Sequence, residues 1–330
     1  MNLDDIDQKL VNLLQVKFPL TREPYADLGL QLGINSNEII SRIDSLKRKG
    51  IIHQIAPVFD AKSLGYNTTL AAMKIIVEEQ LDKATEIINA HAGVSHCYER
   101  DHDFNLWFTL AMPVQNDIET ELQKLATIIK PMATLNLPAV RVFKIVAYFN
   151  SDGDNKAAPD ADIDDVNHST EAPHLSPVDR DIINKLQQDL PLTQKPFDLM
   201  SQRLSLNTDE FLRHCQSLIQ RRIMRRFSAA VSHKKLGFIA NSMTCWKVSP
   251  DKVETAGKKI ATFPEVSHCY ERRSNQLWTY NLFAMIHANN KDACQSIANR
   301  ISSEVGLNDT GPLLLFSTNE FKKVRTKYLV

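Results

Sequence analysis

The chain has 330 residues, 43% hydrophobic and 24% charged, enough apolar material for roughly two to four packed domains. Its 39 Lys and Arg balance 39 Asp and Glu, so the formal net charge is zero, without the basic excess of a dedicated nucleic-acid binder. Cys97, Cys215, Cys245, Cys269 and Cys294 form no C-x-x-C pair, the N-terminus is acidic, and no run of about 18 apolar residues occurs; the expectation is a soluble cytoplasmic protein with reduced thiols and no membrane segment.

Residues 3–16 place Leu3, Ile6, Leu10, Leu13 and Leu14 at helical spacing behind an acidic first turn. Pro24 admits a second helix carrying Tyr25, Leu28, Leu30 and Leu32. Gly33-Ile34-Asn35 makes a turn, and Ser36-Asn37-Glu38 opens a third helix through Leu46. That is the layout of a winged helix-turn-helix. It recurs over 175–224, where the matching helix runs from Thr208 to Ile223. One reading puts these third helices in a DNA major groove. The other keeps the module for packing or dimer formation, and Glu38, Asp44, Asp209 and Glu210 on the groove-facing helices favour it; nucleic acid is not the expected partner.

Residues 68–77 read as a buried strand, 78–91 as an amphipathic helix, 94–100 as a strand and 106–112 as another. A helix near 116–130 and a strand over 140–149 complete β-α-β-β-α-β, the ferredoxin-like order. The second copy repeats it from Ser242 to Tyr328, with 278–287 expected as one strand. Between the copies, 150–176 is poor in large apolar residues and rich in Asp, Ala and Pro, which reads as a flexible acidic linker. The expected fold class is α+β, a duplicated module. Helix-turn-helix domains fall at 1–60 and 175–230, ferredoxin-like domains at 61–150 and 231–330, and the linker at 151–174. The chain reads as a pseudo-dimer, with room for further pairing of fused chains.

Ser95-His96-Cys97-Tyr98-Glu99-Arg100 recurs unchanged as Ser267-His268-Cys269-Tyr270-Glu271-Arg272, an offset of 172. At that offset the first half lies on the second without a gap: Leu3 on Leu175, Pro24 on Pro196, Asn35 on Asn207, Gly65 on Gly237. Such a long repeat is a duplicated module and not a solenoid unit. In a strand alternate side chains share a face, so His96, Tyr98 and Arg100 point one way, as do His268, Tyr270 and Arg272. Imidazole, phenol and guanidinium suit a dry core poorly and suit a carboxylated ligand well. The alternative is a polar strand at a subunit interface. The second half adds His233, Asn241 and Trp246 around an apolar strand, then Trp278, Tyr280, Met285 and His287, then Lys322 and Lys323. No metal-ligand spacing, GxGxxG, P-loop or Ser/His/Asp order is present. Flat apolar surface with anchors for many carboxylates fits a tetrapyrrole bearing acetates and propionates.

The run I-x-x-R-I-x-x-L-x-x-x-G-I-I from Ile39 to Ile52 resembles the DNA-reading module of Lrp/AsnC regulators, and the β-α-β-β-α-β unit resembles their effector domain. More specifically, the chain resembles the Lrp/AsnC-like siroheme decarboxylase family (AhbA/AhbB, in fused form the NirDL type). In the first half the resemblance rests on Pro57-Val58-Phe59-Asp60, Leu64-Gly65-Tyr66, His96 to His102, and Asn105-Leu106-Trp107-Phe108-Thr109. In the second it rests on Arg225-Arg226-Phe227, His233 through Trp246, Trp278 to Leu282, Met285-Ile286-His287 and Glu320-Phe321-Lys322-Lys323. Thr279 and Ser228 depart from the pattern, which otherwise spares only the linker. The resemblance implies removal of two acetate carboxyls from siroheme, giving 12,18-didecarboxysiroheme on the way to heme d1 or another heme. It implies no organic cofactor, the macrocycle itself accepting electrons. Arg100 or Arg272 would hold an acetate, His268 or His287 would supply a proton, and Trp278 and Met285 would pack the ring. Tyr98, Tyr270, Trp107, Tyr280, His233, Asn241, Trp246, Arg225, Lys322 and Lys323 would complete the site, with His96 as the first-copy counterpart of His268. Ligation of the siroheme iron by a histidine is not decided by spacing, and the second half is expected to hold the better formed site. The competing reading is a fused Lrp/AsnC-type DNA-binding regulator that senses a small acid or heme.

Overall fold

The computed structural model describes residues 3–145, 148–150, 174–308 and 311–330; the expected linker, but for its last residue, lies outside them. Copy 1 runs α1 (Asp5–Val16), α2 (Pro24–Leu32), α3 (Ser36–Arg48), β1 (Ile52–Phe59), β2 (Tyr66–Lys74), α4 (Glu78–Ala90), β3 (Val94–Arg100), β4 (Leu106–Pro113), α5 (Ile118–Ile129) and β5 (Ala133–Ile145). Copy 2 runs α6 (Pro177–Leu186), α7 (Pro196–Gln202), α8 (Thr208–Gln220), β6 (Met224–Val231), β7 (Ala240–Trp246), α9 (Val253–Ala261), β8 (Val266–Arg272), β9 (Leu282–Ala288), α10 (Lys291–Val305) and β10 (Leu313–Lys323).

The third helices start where a short polar side chain satisfies an orphan amide. Asn35 accepts from the Glu38 N–H at 2.9 Å, and Asn207 from the Glu210 N–H at 2.8 Å. The two helix-turn-helix units do not stand apart. Phe18 of copy 1 packs within 6.5 Å of Phe197 and 5.7 Å of Phe227 of copy 2, and β1 pairs antiparallel with β6. One apolar core serves both units.

The remaining strands close a barrel in the order β10-β3-β4-β2-β5-β8-β9-β7. Closure depends on the length of β5 and β10. The first half of β5 pairs with β2 of its own copy and the second half with β8 of the other. Likewise β10 pairs first with β7 and then with β3. Each copy thus hands its last strand to the other, and the barrel has no open edge to protect. Strand alternation splits the residues between two environments. Leu106, Phe108 and Leu110 of β4 turn outward beneath the helices of copy 1, whereas Trp107 joins Leu70, Ala72, Leu135 and Leu137 inside the barrel. On the outer face of the repeated strand, Cys97 and Cys269 are fully buried among the apolar side chains beneath the helices.

Three sequence expectations need correction. The last strand of copy 1 begins at Ala133, not near 140. Residues 278–281 precede β9 and are not part of it. The copies also do not superpose without gaps. His96 faces Thr109 while His268 faces Met285, so the equivalence there runs at 176 residues. Further on, Ala139 faces Arg272 while Ser317 faces Arg100, an equivalence of 178. The physical source of the first slip is the hairpin: Arg100 N–H reaches the Asn105 carbonyl, but Arg272 N–H reaches that of Asn281. The longer loop 273–280 carries Trp278.

Candidate active site

The barrel interior is apolar at one end and polar at the other. At the apolar end Trp107 and Trp278 meet with ring centroids 5.2 Å apart, and Phe104 and Tyr280 flank Trp278 at 6.1 and 5.3 Å. The Trp107 indole donates to the Phe104 carbonyl at 2.6 Å, while the buried Trp278 indole N–H has no partner among the described residues. The extended hairpin of copy 2 thus plugs the floor.

Toward the polar end the two hexapeptides face each other across the lumen. His96 stacks on Tyr98 at 6.3 Å and 28°, and His268 on Tyr270 at 6.2 Å and 21°. Arg100 lies 5.5 Å over the Tyr98 ring and Arg272 4.7 Å over that of Tyr270. Arg100 also donates to the Leu315 carbonyl at 2.7 Å, and Arg272 to that of Leu137 at 2.8 Å. Each therefore anchors on the strand that crosses from the other sheet. Neither has a carboxylate partner among the described residues, and the Nε of each is buried without an acceptor. Burial pushes both guanidinium groups down to about 10, still cationic at neutral pH. Buried cations without counter-ions are costly, and their arrangement in a lumen suits an incoming anion.

A second cluster has its polar groups from copy 2, with Phe149 of copy 1 packed against them. His287 of β9 faces Asn241 of β7, and its ring centre is 5.2 Å from that of His233 and 4.8 Å from Phe149. Asn241 and His233 are 3.3 Å apart, Lys323 Nζ lies 3.2 Å from His233 Nδ1, and Ser317 donates to Asn241 at 2.8 Å. The Ser267 hydroxyl lies 2.9 Å from both His268 Nδ1 and His287 Nε2. In copy 1 Ser95 lies 2.9 Å from His96 Nδ1 and 2.8 Å from the Thr109 hydroxyl. Burial first, and the Lys323 charge next, push His96 down to about 4 and His233 to about 3. For His268 burial comes first and Arg226 second, giving about 3. His287 is held well below its usual range by burial and then by His233. All four imidazoles are neutral at pH 7 before an anion arrives. Burial raises the Tyr98 and Tyr270 phenols, so both keep their protons.

His96, Tyr98, Arg100, His268, Tyr270, Arg272, His233, Asn241, Met285, His287 and Lys323 are thus brought together, while Trp107, Trp278 and Tyr280 form the floor. Arg225 on β6 is ion-paired with Asp60; its charge opposes the upward push of burial on the Tyr270 phenol without outweighing it. Two expected residues lie elsewhere. Trp246 is fully buried on the outer face of β7, its indole donating to Ser302 of α10 at 2.8 Å; it sits an odd number of positions from Asn241, so alternation turns it away. Lys322 also faces outward and donates to the Asn89 and His91 carbonyls at the end of α4, at 2.7 and 3.3 Å. Sequence reasoning missed Ser267, Ser95, Thr109 and Phe149. The signal for the serines was present, since the unchanged hexapeptide begins with them. No group of three or more metal-ligating side chains occurs among the described residues, and no described helix is long and apolar enough to cross a membrane.

Residues 63–144 and 235–322 match the AsnC-like ligand binding domain, and residues 7–52 and 179–225 match the siroheme decarboxylase NirDL-like HTH domain. The siroheme decarboxylase of Hydrogenobacter thermophilus is 37% identical over 97% of this chain and 94% of its own length. The siroheme decarboxylase NirDL subunit of Paracoccus pantotrophus is 30% identical over 98% and 97%. A crystal structure of the siroheme decarboxylase NirDL superposes with TM-score 0.73 and 34% identity, covering 99% of this chain and 95% of the other. A second, in co-complex with an iron-uroporphyrin III analogue, gives 0.72 at the same identity and coverage. The chain belongs to the siroheme decarboxylase family.

Proposed function

We propose that this protein decarboxylates siroheme, converting two acetate side chains to methyls inside the barrel. The observation that carries the reading is the pair of buried guanidinium groups, Arg100 and Arg272, that have no carboxylate partner among the described residues and face a lumen rich in imidazole. Siroheme supplies what the two arginines lack, carboxylates carried on an apolar disc. Arg100, Arg272 and Lys323 meet carboxylates; Met285 and the aromatic floor meet the macrocycle. Each carboxylate brought near the histidines favours their protonated forms, so the substrate itself prepares the acid that the reaction needs. In each step a –CH2–CO2⁻ group loses carbon dioxide. The electron pair of the broken C–C bond is drawn toward the macrocycle, and the carbon takes one proton to become –CH3. A water-poor lumen favours this loss of charge, and no resident cofactor is required.

The first helix-turn-helix unit supports the enzyme reading over a DNA-binding one. Arg42, on the helix that would read a groove, is held by Asp4 at 2.7 Å, Asp7 at 2.9 Å and Glu38 at 3.0 Å, and Arg48 by Asp44 at 3.0 Å. These cations are neutralised within the chain. The test is anaerobic incubation of the purified protein with siroheme, followed by mass spectrometry of the tetrapyrrole. Loss of two carbon dioxide units is expected. An unchanged tetrapyrrole that stays bound would replace the reading by a carrier or sensor, and no binding at all would return the regulator.

A further inference from the structure

The two histidines of the repeat have different company behind them. A serine hydroxyl has one hydrogen to give and lone pairs to accept with. Ser267 lies between two imidazole nitrogens, His268 Nδ1 and His287 Nε2, each at 2.9 Å, and is itself buried. With the serine hydrogen given to one of those nitrogens, the other must donate to the serine oxygen. In copy 1 the chain from His96 ends instead on Thr109, whose hydroxyl also takes the His96 backbone N–H at 3.2 Å. A hydroxyl is a far weaker proton acceptor than an imidazole lone pair. His287 stands on β9 two residues beyond Met285, and the copy 1 counterpart of that place on β4 is Ala111, which has nothing to offer.

We propose that Ser267 and His287 make His268 the proton donor of the barrel: the hydrogen bonds running from His268 Nδ1 through the Ser267 hydroxyl to His287 Nε2 support it, and His96 has no equivalent support. This deepens the decarboxylase reading and rests on it. It also changes the role of His287 from donor to positioning residue, since its Nε2 is engaged with Ser267 and its Nδ1 is buried without a partner among the described residues. When His268 carries both hydrogens, Nδ1–H donates to Ser267 and the serine hydrogen points to His287 Nε2. When the Nε2 proton of His268 has passed to the substrate carbon, carbon dioxide has left and His268 is neutral with hydrogen on Nδ1. Solvent water then restores the Nε2 proton. The other groups that bear on His268 are Arg226 of β6, His96 of β3, Lys323 of β10 and Lys144 of β5. All oppose its charge, as burial does first; the hydrogen bond to Ser267 is what the geometry sets against them.

The experiment compares Ser267→Ala, Ser267→Thr and Ser95→Ala in the full chain. Each is titrated with iron-uroporphyrin as a non-reacting probe, then assayed with siroheme by mass spectrometry across pH. Ser267→Ala is expected to bind the probe as the parent does and to lose about tenfold to 100-fold in kcat, the scale of a hydrogen bond to a charged group. Its kcat profile should move to lower pH, because a weaker base needs more acid to be protonated. Ser267→Thr keeps the hydroxyl and should recover most of the rate, and Ser95→Ala should lose several-fold less kcat than Ser267→Ala. Equal losses in Ser267→Ala and Ser95→Ala, or an unmoved pH profile in Ser267→Ala, would overturn the assignment. An inactive parent chain would instead count against the decarboxylase reading.

Discussion

Replacing Arg100 by Met separates a ligand-binding cation from a structural one, because the two roles predict opposite signs. Arg100 is 5% exposed. Burial lowers it from 12.5 to about 10, which corresponds to about 3 kcal/mol against keeping its charge inside. For a cation whose folded pKa is depressed, that penalty is present in full at all pH values below about 10 and is relieved only as pH rises through 10 toward 12.5. Arg100→Met removes the penalty. It also removes the bond to the Leu315 carbonyl, which contributes about 1.5–3 kcal/mol in the other direction. The ligand-free variant is therefore expected to unfold within about 1 kcal/mol of the parent. Affinity for a polycarboxylate should behave differently, since a charge-assisted bond of about 1.5–3 kcal/mol is lost with no compensation. That is about a tenfold to 150-fold rise in Kd. The assay pairs urea unfolding with absorbance titration of iron-uroporphyrin under anaerobic conditions. A variant that loses more than about 2 kcal/mol of stability while binding the probe unchanged would show that Arg100 only staples β3 to β10, and would remove the main support for an anion in the barrel.

Other consequences follow from the same geometry. Trp246→Phe loses the bond to Ser302 and some packing and should destabilise the chain by about 1–2 kcal/mol, with kcat for siroheme unchanged; a selective loss of kcat would put the indole back in the site. Lys322→Ala should leave probe affinity as it is, whereas Lys323→Met should weaken it by about fivefold or more, read in the same titration. The histidines predict acid sensitivity. His96, His233 and His268 stand at about 4, 3 and 3 in the folded chain against about 6.5 unfolded, so below pH 6.5 the unfolded chain binds more protons. Their contribution is complete above that pH and is lost as pH falls toward 4, by up to about 1.4 kcal/mol per pH unit for each histidine. Unfolding midpoints at pH 7.5, 6.5 and 5.5 measure it, and a flat profile would refute the burial of neutral imidazoles.

Much of the site was legible because its signal is local. The face carrying His96, Tyr98 and Arg100 follows from strand alternation, and the unchanged second copy singled it out. Alternation would also have excluded Trp246 and Lys322, which sit on the opposite parity from Asn241 and Lys323; a resemblance spread over a whole run hides that parity. What the sequence could not carry is the exchange of β5 and β10 between sheets. Nothing in residues 133–145 says that their second half pairs with β8, yet that exchange is what brings both hexapeptides into one closed barrel. The lengthened hairpin was equally hidden, because a gap-free offset of 172 matches the hexapeptides well and places Trp278 on Leu106, when the structure puts Phe283 opposite Tyr270 and Trp107 opposite Tyr98.

Fusion gives a physical reason for the asymmetry of the lumen. In a dimer of identical chains a two-fold axis through the barrel would repeat every group, so a histidine introduced at the His287 position would occur on both sides. A fused chain is released from that condition. Here the anchoring elements stay duplicated: Arg100 with Arg272, Tyr98 with Tyr270, His96 with His268. The elements that tune a proton are single: His287 against Ala111, His233 against Ala61, and Trp278 on a loop that copy 1 lacks. A substrate with carboxylates all around its rim can use symmetric anchors. Its reacting groups sit on particular edges and cannot be symmetric with respect to the protein. The single set of groups behind His268 is the element of the structure that can tell those edges apart, which is why its removal should impair turnover while leaving the duplicated anchors able to hold the ring.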